Sequence, residues 1–252
     1  MLELNGVIKT FGGFHAVDGI DMTVADGSIT GLIGPNGAGK TTLFNTISGY
    51  YRPNGGEIHL DGQRIDGRPP HRVFASGLAR TFQIPKPFAE MTVLENVMLV
   101  PLNQTGEKFW TNWLSPGRVR ADEMAIREKA GEIIEFCGLQ RVIGDLANTL
   151  SGGQLKLLEL ARVLMADPKL ILLDEPAAGV NPSLMDMLVE KIKTLNARGH
   201  AFLIIEHNMD LVMSLCDPVV VMAQGKVIFN GTAVDAKRDT EVQDAYLGDL
   251  PT

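Results

Sequence analysis

The sequence predicts an α/β protein that combines a parallel-sheet core with an N-terminal antiparallel β subdomain and an α-helical subdomain. Three observations lead to this fold class. Aliphatic runs alternate with amphipathic helix patterns over 168–230, which is typical of parallel strands joined by crossover helices. Residues 1–33 contain short strand patterns separated by glycine turns, and residues 90–165 follow mainly helical periodicity.

The N-terminal β subdomain is predicted from strand patterns that end in turn dipeptides. Turns are expected at Asn5-Gly6, Asp18-Gly19 and Asp26-Gly27, because these residue types tolerate the positive φ angles of tight hairpins. The run Glu57–Leu60, followed by Asp61-Gly62, predicts a further strand. Together these patterns predict an antiparallel flap beside the core.

A glycine-rich loop follows the first buried strand. The apolar strand pattern Ile29–Ile33 leads into a segment that fits G-x-x-x-x-G-K-[ST], and the helix Lys40–Ser48 follows, ending at Gly49. Backbone N–H groups of such a loop form a cradle for an anion, and the lysine adds a positive charge. The loop is therefore predicted to hold the phosphates of ATP, while the Thr41 hydroxyl serves Mg²⁺. Its candidate residues are Gly34, Pro35, Asn36, Gly37, Ala38, Gly39, Lys40, Thr41 and Thr42.

The predicted helical subdomain carries a second candidate anion cradle. Apolar residues at 126, 130, 133, 134 and 137 form one helix face, which Gly138 closes. Ser151 is predicted to cap the next helix, and the two glycines after it allow a backbone to approach an anion closely. A single nucleotide site needs only one cradle for its terminal phosphates. The candidate residues of this motif are Ser151, Gly152, Gly153 and Gln154.

The C-terminal half alternates strands and helices, and one of its strands ends in two carboxylates. The predicted elements are Leu170–Leu173, Pro182–Arg198, Ala201–Ile205, Asn208–Leu215 and Val219–Met222, with Asn181 as N-cap and Gly199 as terminator of the first helix. Ligands of parallel sheets lie at the carboxyl ends of the strands. Asp174 is therefore expected to hold Mg²⁺ and Glu175 to orient or deprotonate a water, on a strand next to the one that leads into the phosphate loop.

Composition excludes several classes of function. Lys and Arg number 23 against 30 Asp and Glu, which gives a net charge of −7 and argues against general nucleic-acid binding. Cys137 and Cys216 are expected to be buried thiols inside amphipathic helices. The sequence has neither a signal-peptide pattern nor an apolar run long enough to span a bilayer, so a cytoplasmic chain attached to a membrane through a partner is expected.

Nearly the whole chain resembles the ATP-binding subunits of ABC transporters. The matching elements are Gly34–Thr41 for the Walker A loop, Leu150–Gln154 for the signature motif, Leu170–Glu175 for the Walker B strand with its glutamate, Gln83 for the Q-loop, His207 for the switch histidine and Phe11 for the aromatic residue that stacks on adenine. The segments 80–88, 91–97 and 174–182 are most similar to the LivG-type ATPases of branched-chain amino acid importers. Importers of urea and other amides share much of this pattern.

The resemblance implies one P-loop NTPase domain, RecA-like, over residues 1–252. Its nucleotide-binding core and β flap would span 1–89 and 166–252, and its helical subdomain 90–165. By resemblance, Glu175 is the general base, His207 orients the γ-phosphate and the water, and Gln83 joins Thr41 and Asp174 at Mg²⁺. The remaining implied contacts are those of Phe11 and Val17 with adenine. Asn181 departs from the family, which usually has aspartate at this position.

The family also implies partners. Two ATPase subunits pair head to tail, so that each nucleotide lies between Walker A of one and the signature motif of the other. The second subunit would be a LivF-like ATPase or another copy of this chain, and both would meet transmembrane permease subunits, with a periplasmic or extracellular binding protein as indirect partner. Alternative functions are a soluble ABC ATPase of translation or DNA repair and a nonhydrolysing scaffold module.

Two segments are candidates for partner contact. The proline-rich turn Gln83–Phe88 is the first, since the resembled family meets its transmembrane subunit here; the alternative is that Phe88 fills the core of the helical subdomain. The second is Pro101–Arg120, which contains both tryptophans of the chain. It is interpreted either as a partner-facing patch or as a loop folded onto its own subdomain.

Overall fold

The computed structural model describes residues 1–81, 87–101 and 116–247, with the exception of the side chains at 116, 118 and 247. Gln83 and both tryptophans, Trp110 and Trp113, lie outside the described residues. The described chain divides into two units. A core unit contains residues 1–81, 169–178 and 192–247, and a helical unit contains residues 87–101, 116–168 and 179–191.

The core unit begins with a four-stranded sheet in the order β2-β1-β4-β5, and its pairings are antiparallel. The strands are β1 (Leu2–Phe11), β2 (Phe14–Val24), β4 (Gly55–Leu60) and β5 (Gln63–Arg64). Buried and exposed residues alternate at the start of β1, which is the pattern of a sheet with one face on the core. The predicted antiparallel flap is confirmed.

Two of the three predicted turns in this region are wrong. Asn5-Gly6 and Asp18-Gly19 lie within β1 and β2, at shifts in the strand register, and the hairpin turns instead at Gly12-Gly13. Gly6 and Gly19 have φ angles of 58° and 70°, which suit a β-bulge as well as a turn. Asp26-Gly27 does form the predicted turn between β2 and the next strand.

A second sheet of six strands forms the centre of the core unit. Its order is β10-β9-β3-β8-β7-β6, and its strands are β3 (Ile29–Ile33), β6 (Leu78–Arg80), β7 (Leu170–Asp174), β8 (Ala201–Ile205), β9 (Val219–Ala223) and β10 (Lys226–Gly231). All pairs are parallel except β9 with β10. Every residue of β3, β7 and β8 is buried, as in strands covered on both faces.

The strand order corrects one detail of the predicted site. β7 is not the neighbour of β3, because β8 lies between them and pairs with both. The carboxyl ends of these three parallel strands nevertheless lie at one edge of the sheet. The chain leaves that edge at Gly34, Glu175 and Glu206, so three loops with polar residues meet there.

The predicted helices after the glycine loop and in the C-terminal half are present and the described part of 90–165 is mainly helical, whereas the helices at 70–75, 233–238 and 240–247 were not predicted. The described helices are α1 (Lys40–Ile47), α2 (Pro70–Ala75), α3 (Val93–Met98), α4 (Pro116–Phe136), α5 (Gly152–Met165), α6 (Pro182–Ala197), α7 (Met209–Leu215), α8 (Ala233–Arg238) and α9 (Thr240–Leu247). Asn181 Oδ1 accepts the Leu184 N–H at 2.9 Å, which confirms Asn181 as the N-cap of α6. Gly199, with φ of 101°, ends the last turn as predicted.

In the helical unit, α4 presents the predicted apolar face. Ala130 and Ile134 are fully buried, as is Cys137 immediately after the helix, and Gly138 reverses the chain with φ of 74°. Cys216 likewise follows the last residue of its helix, so both thiols are buried but lie just past a helix end. Burial raises the pKa of each thiol to about 12, which keeps both protonated and unreactive.

Candidate active site

The loop after β3 has a backbone that requires glycine at two positions. Gly34 has φ of 147° and Gly39 has φ of 97°. A Cβ at Gly34 would lie 2.0 Å from the Met222 carbonyl oxygen, and one at Gly39 would lie 2.2 Å from that of Ala16. Strands β9 and β2 therefore hold the loop from two sides. A Cβ at Gly37 would meet nothing within 4 Å, so this side of the loop is open to a ligand.

The turn between β9 and β10 holds the loop from a third direction. Gly225 donates its N–H to the Ala38 carbonyl at 3.1 Å, and its own carbonyl accepts the Asp18 N–H at 2.8 Å. The turn thus joins the loop to β2 through the two backbone groups of Gly225. No motif in the sequence indicated this contact, because it is made by backbone atoms and places no demand on side-chain chemistry.

Lys40, the first residue of α1, is buried inside the loop. Its Nζ donates to the carbonyl oxygens of Gly34 and Pro35, both at 2.8 Å. Thr41, the next residue, is exposed. An ammonium group surrounded by a loop of glycine backbone, at the N-terminus of a helix, has the chemistry of a polyphosphate site.

Asp174 at the end of β7 forms a buried ion pair that the sequence did not reveal. Its Oδ2 accepts from Arg80 Nη2 at 2.9 Å, and each side chain is 7% exposed. The other terminal nitrogen, Arg80 Nη1, donates to Asn45 Oδ1 at 2.6 Å and to Ser48 Oγ at 3.1 Å, both near the end of α1. Arg80 therefore connects the carboxylate with the helix that follows the phosphate loop.

Glu175 and His207 meet side chain to side chain. His207 Nε2 lies 3.0 Å from Glu175 Oε1, and 40% of the histidine side chain and 23% of the glutamate side chain are exposed. Glu175 has φ of 49°, an uncommon value for a residue with a side chain, and its N–H bonds to the Ile205 carbonyl at 3.0 Å. Strain of this kind concentrates at functional sites. The pair is reached by solvent and can take up or orient a water proton.

The oxygen atoms at this edge of the sheet fit a hard cation such as Mg²⁺, which would be held mainly by the phosphates of the nucleotide. Among the described residues, no group of three or more His, Cys, Asp and Glu side chains could hold a metal ion by itself. Mg²⁺ usually binds through one or two protein oxygens, waters and substrate phosphates. The Asp174 carboxylate and the exposed Thr41 hydroxyl are ligands of this kind. The contribution of Gln83 stays a prediction, because Gln83 lies outside the described residues.

The two residues predicted at adenine differ in exposure. Phe11 is 44% exposed at the end of β1, its ring packs edge-on against Tyr51 at 5.3 Å between centroids, and Lys9 Nζ lies 5.1 Å from the Phe11 ring centre. Val17 is fully buried in the core. Exposure at Phe11 supports a stacking role, whereas a side-chain contact from Val17 has no support of this kind and stays a prediction.

The Ser151 motif lies in the helical unit, at the start of α5. Ser151 Oγ accepts the Gln154 N–H at 3.3 Å, while Gln154 Oε1 accepts the Ser151 N–H at 2.9 Å, so the predicted N-cap is confirmed as part of a capping box. A Cβ at Gly153 would lie 1.7 Å from Leu184 Cδ2 of α6. Gly153 thus lies against the flexible end of the Leu184 side chain, while Ser151 and Gly152 are exposed.

Phe88 in the helical unit is a surface residue. It is 54% exposed, so the interpretation as a core residue is wrong. The guanidinium carbon of Arg162 lies 5.6 Å from the Phe88 ring centre. The fully buried Asn96 accepts the Phe88 N–H at 2.8 Å and donates to the Phe88 carbonyl at 3.0 Å. An exposed ring on a fixed backbone is suited to contact a partner.

The chain is similar to known proteins over nearly its whole length. A model of the family described as "ABC transporter" matches residues 17–178. The chain is 44% identical over 248 residues to the probable branched-chain amino acid transport ATP-binding protein LivG of Archaeoglobus fulgidus, covering 98% of the chain and 95% of the relative. It is 39% identical over 250 residues to the high-affinity branched-chain amino acid transport ATP-binding protein BraF of Pseudomonas aeruginosa, covering 99% and 98%. It is also similar to an ATP-binding cassette of an ABC transporter solved in its ADP conformation, with a TM-score of 0.83, 36% identity and 99% coverage of each chain.

Proposed function

Because the chain belongs to the ABC transporter family, we propose that it hydrolyses ATP to drive uptake of branched-chain amino acids. One observation carries the hydrolytic part. The loop with Lys40, the carboxylates of Asp174 and Glu175, and the imidazole of His207 all leave the same edge of one parallel sheet. The transported substrate is inferred from the LivG and BraF relatives, which match the chain over nearly its full length.

In the proposed reaction, the chain's residues bind, orient and move one proton. Lys40 and the amides of 37–41 bind the β- and γ-phosphates. Glu175 accepts a proton from a water in line with the γ-phosphate, and His207, 3.0 Å away, orients the carboxylate and the phosphate. Mg²⁺ held by Thr41, Asp174 and Gln83 would neutralise charge on the phosphates. Phe11 would stack on adenine.

The exposed motif Ser151–Gln154 is proposed to act on the nucleotide of a second subunit. In this arrangement two ATPase subunits close head to tail around the nucleotide, and loss of the γ-phosphate allows them to reopen. The second subunit is a LivF-like chain or another copy of this one. Asn181 caps α6 within its own chain, and this role does not depend on any contact across the subunit interface.

Attachment to the membrane is proposed to come from permease partners. Among the described residues no helix has the length and apolar character needed to cross a bilayer. The family resemblance supports a location at the cytoplasmic face of the membrane, where permease subunits would bind the chain and an external binding protein would supply the amino acid. Phe88, exposed next to the proposed Q-loop, is the proposed contact with the permease.

The decisive experiment combines hydrolysis with transport. Deletion of the gene from its own cell should abolish binding-protein-dependent uptake of labelled leucine, and the wild-type gene should restore it, whereas Lys40→Ala should not. If leucine uptake stayed normal and urea uptake were lost, urea would become the proposed substrate. The assignment of the chain as a transport ATPase would stand. Unchanged uptake of both, with a defect in translation or DNA repair, would favour a soluble ABC ATPase instead.

A further inference from the structure

Glu206 is a buried carboxylate directly after β8, next to the proposed catalytic histidine. It is 3% exposed. A carboxylate removed from water needs hydrogen-bond donors, and in this case the donors are backbone N–H groups of two different loops. Neither the motif pattern nor the mechanism above uses Glu206.

The two carboxylate oxygens divide their contacts between the loops. Oε1 accepts the Ala177 N–H at 2.8 Å, in the loop that follows β7. Oε2 accepts the His207 N–H at 3.0 Å and the Asn208 N–H at 3.3 Å, in the loop that follows β8. Glu206 thus joins the two loops through one side chain.

These are the loops that carry Glu175 and His207. Glu175 lies two residues before Ala177, and its N–H bonds to the Ile205 carbonyl, one residue before Glu206. The Glu175 and His207 side chains meet at 3.0 Å only if the loops keep their spacing. Displacement of a catalytic group by about 1 Å can lower a rate by about 10²-fold.

We propose that Glu206 is a positioning residue that sets the spacing of Glu175 and His207 and thereby the rate of ATP hydrolysis. This inference rests on the proposed function, since it assigns Glu206 to the same reaction. Glu206 touches neither substrate nor water in this scheme and acts through the backbone of both loops. The competing explanation is that its three hydrogen bonds stabilise the fold without affecting the chemistry.

The variant Glu206→Gln separates these explanations because it conserves shape and changes one acceptor. A glutamine has one side-chain oxygen, so its NH₂ group must face the N–H donors of one loop or the other. We expect kcat to fall by about 10- to 100-fold, while KM for ATP changes by less than about twofold. A folded Glu206→Gln chain with wild-type kcat would overturn the inference.

Asn208→Ala is the matched control. Asn208 lies in the same loop, and its Oδ1 caps α7 by accepting the Leu211 N–H at 3.1 Å. The substitution removes this cap and leaves the backbone N–H that Glu206 uses. We expect lower thermal stability with kcat near that of the wild type. An equal loss of kcat in Asn208→Ala would assign the Glu206 effect to general loosening of the loop and overturn the inference.

A double-mutant cycle with His207→Ala completes the test. If Glu206 acts through the pair, Glu206→Gln should lower kcat by less than about threefold in the His207→Ala chain. Equal effects of Glu206→Gln with and without His207 would overturn the positioning role. Failure of the proposed function looks different, because the wild-type chain would then hydrolyse ATP no faster than Lys40→Ala does, whatever the effect of Glu206→Gln.

Discussion

At the scale of single residues, charge burial dominates the site. Asp174 and Arg80 are both nearly inaccessible and compensate each other, while Arg80 also bonds to the end of α1. Removal of one partner of a buried pair leaves the other charge without compensation, at a cost of about 3–5 kcal/mol. The Arg80–Asp174 pair is therefore expected to matter for stability before any ligand binds.

Arg80→Met tests this expectation by urea unfolding of the purified chain. We expect a loss of about 3–5 kcal/mol in the free energy of unfolding, because Asp174 remains buried. Lys226→Met is the control, since Lys226 pairs with Asp18 at the surface, where 64% and 34% of the two side chains are exposed. Equal stability changes in the two variants would contradict the importance of burial.

Substitutions of Glu175 and Lys40 should affect different steps, the first the hydrolysis of ATP and the second its binding. Glu175→Gln should retain ATP binding and lose about 10²–10⁴ in turnover, as expected when a general base is removed. Lys40→Ala should weaken binding itself. Calorimetry with ATP and steady-state hydrolysis measure the two effects. Near-normal hydrolysis by Glu175→Gln would remove it from the base role, and unchanged affinity in Lys40→Ala would contradict the phosphate-loop assignment.

Strand-end position predicted Asp174 and Glu175 at this edge, the glycine-loop motif predicted Lys40 there, and the resemblance to the family added His207. Arg80 and Glu206 were not predicted as site residues. Arg80 meets a carboxylate 94 positions away, and Glu206 serves backbone groups that carry no sequence signal. Contacts of this kind depend on strand order, which local patterns do not determine.

At the scale of elements, caps and close approaches fix the helices. Ser151 and Asn181 cap α5 and α6, as their residue types predicted. The boundaries of β3, β7, β8 and β9 were predicted to within one residue from apolar runs, whereas β5, β6 and β10 were not predicted. The bulges at Gly6 and Gly19 were mistaken for turns because both structures use glycine at positive φ. The position of β8 between β3 and β7 depends on the path of the crossovers, which no local pattern encodes.

Gly153→Ala tests the contact of α5 with α6. Helix propensity alone would favour alanine by about 1 kcal/mol. The added Cβ would lie 1.7 Å from Leu184 Cδ2, the far end of a flexible and partly exposed side chain, so Leu184 can turn away but loses its packing against α5. We expect Gly153→Ala to melt at a lower temperature than Gly152→Ala, because only the first substitution displaces Leu184. Gly152→Ala, where a Cβ meets nothing within 4 Å, should not destabilise the chain. Similar melting temperatures for both variants would contradict the contact.

At the scale of the whole molecule, one chain is proposed to supply half of each nucleotide site. Mixing Ser151→Arg with Lys40→Ala tests this directly. Each variant alone should be inactive, whereas their heterodimer contains one site with both elements intact and should regain part of the ATPase activity. Dimer formation is verified by light scattering. A mixed dimer without any activity would count against the shared site.

Phe88→Ala tests the proposed permease surface. Because Phe88 is 54% exposed, its truncation should leave the melting temperature and basal ATPase of the isolated chain close to normal. It should weaken assembly with the permeases or stop substrate from stimulating hydrolysis. Co-purification and ATPase assays in proteoliposomes measure both. If Phe88→Ala assembled with the permeases and responded to substrate like the wild type, the contact with the permease would have to lie elsewhere on the chain.

The glycine loop that Met222, Ala16 and Gly225 enclose also has a thermodynamic consequence. Its backbone is held by contacts within the chain, so we expect the conformational entropy of ordering it to be lost during folding and not during nucleotide binding. Each ordered residue costs about 1–2 kcal/mol, which makes a preformed loop of six residues a large advantage in affinity. Nucleotide association should therefore be limited by diffusion and closure, with little contribution from loop ordering.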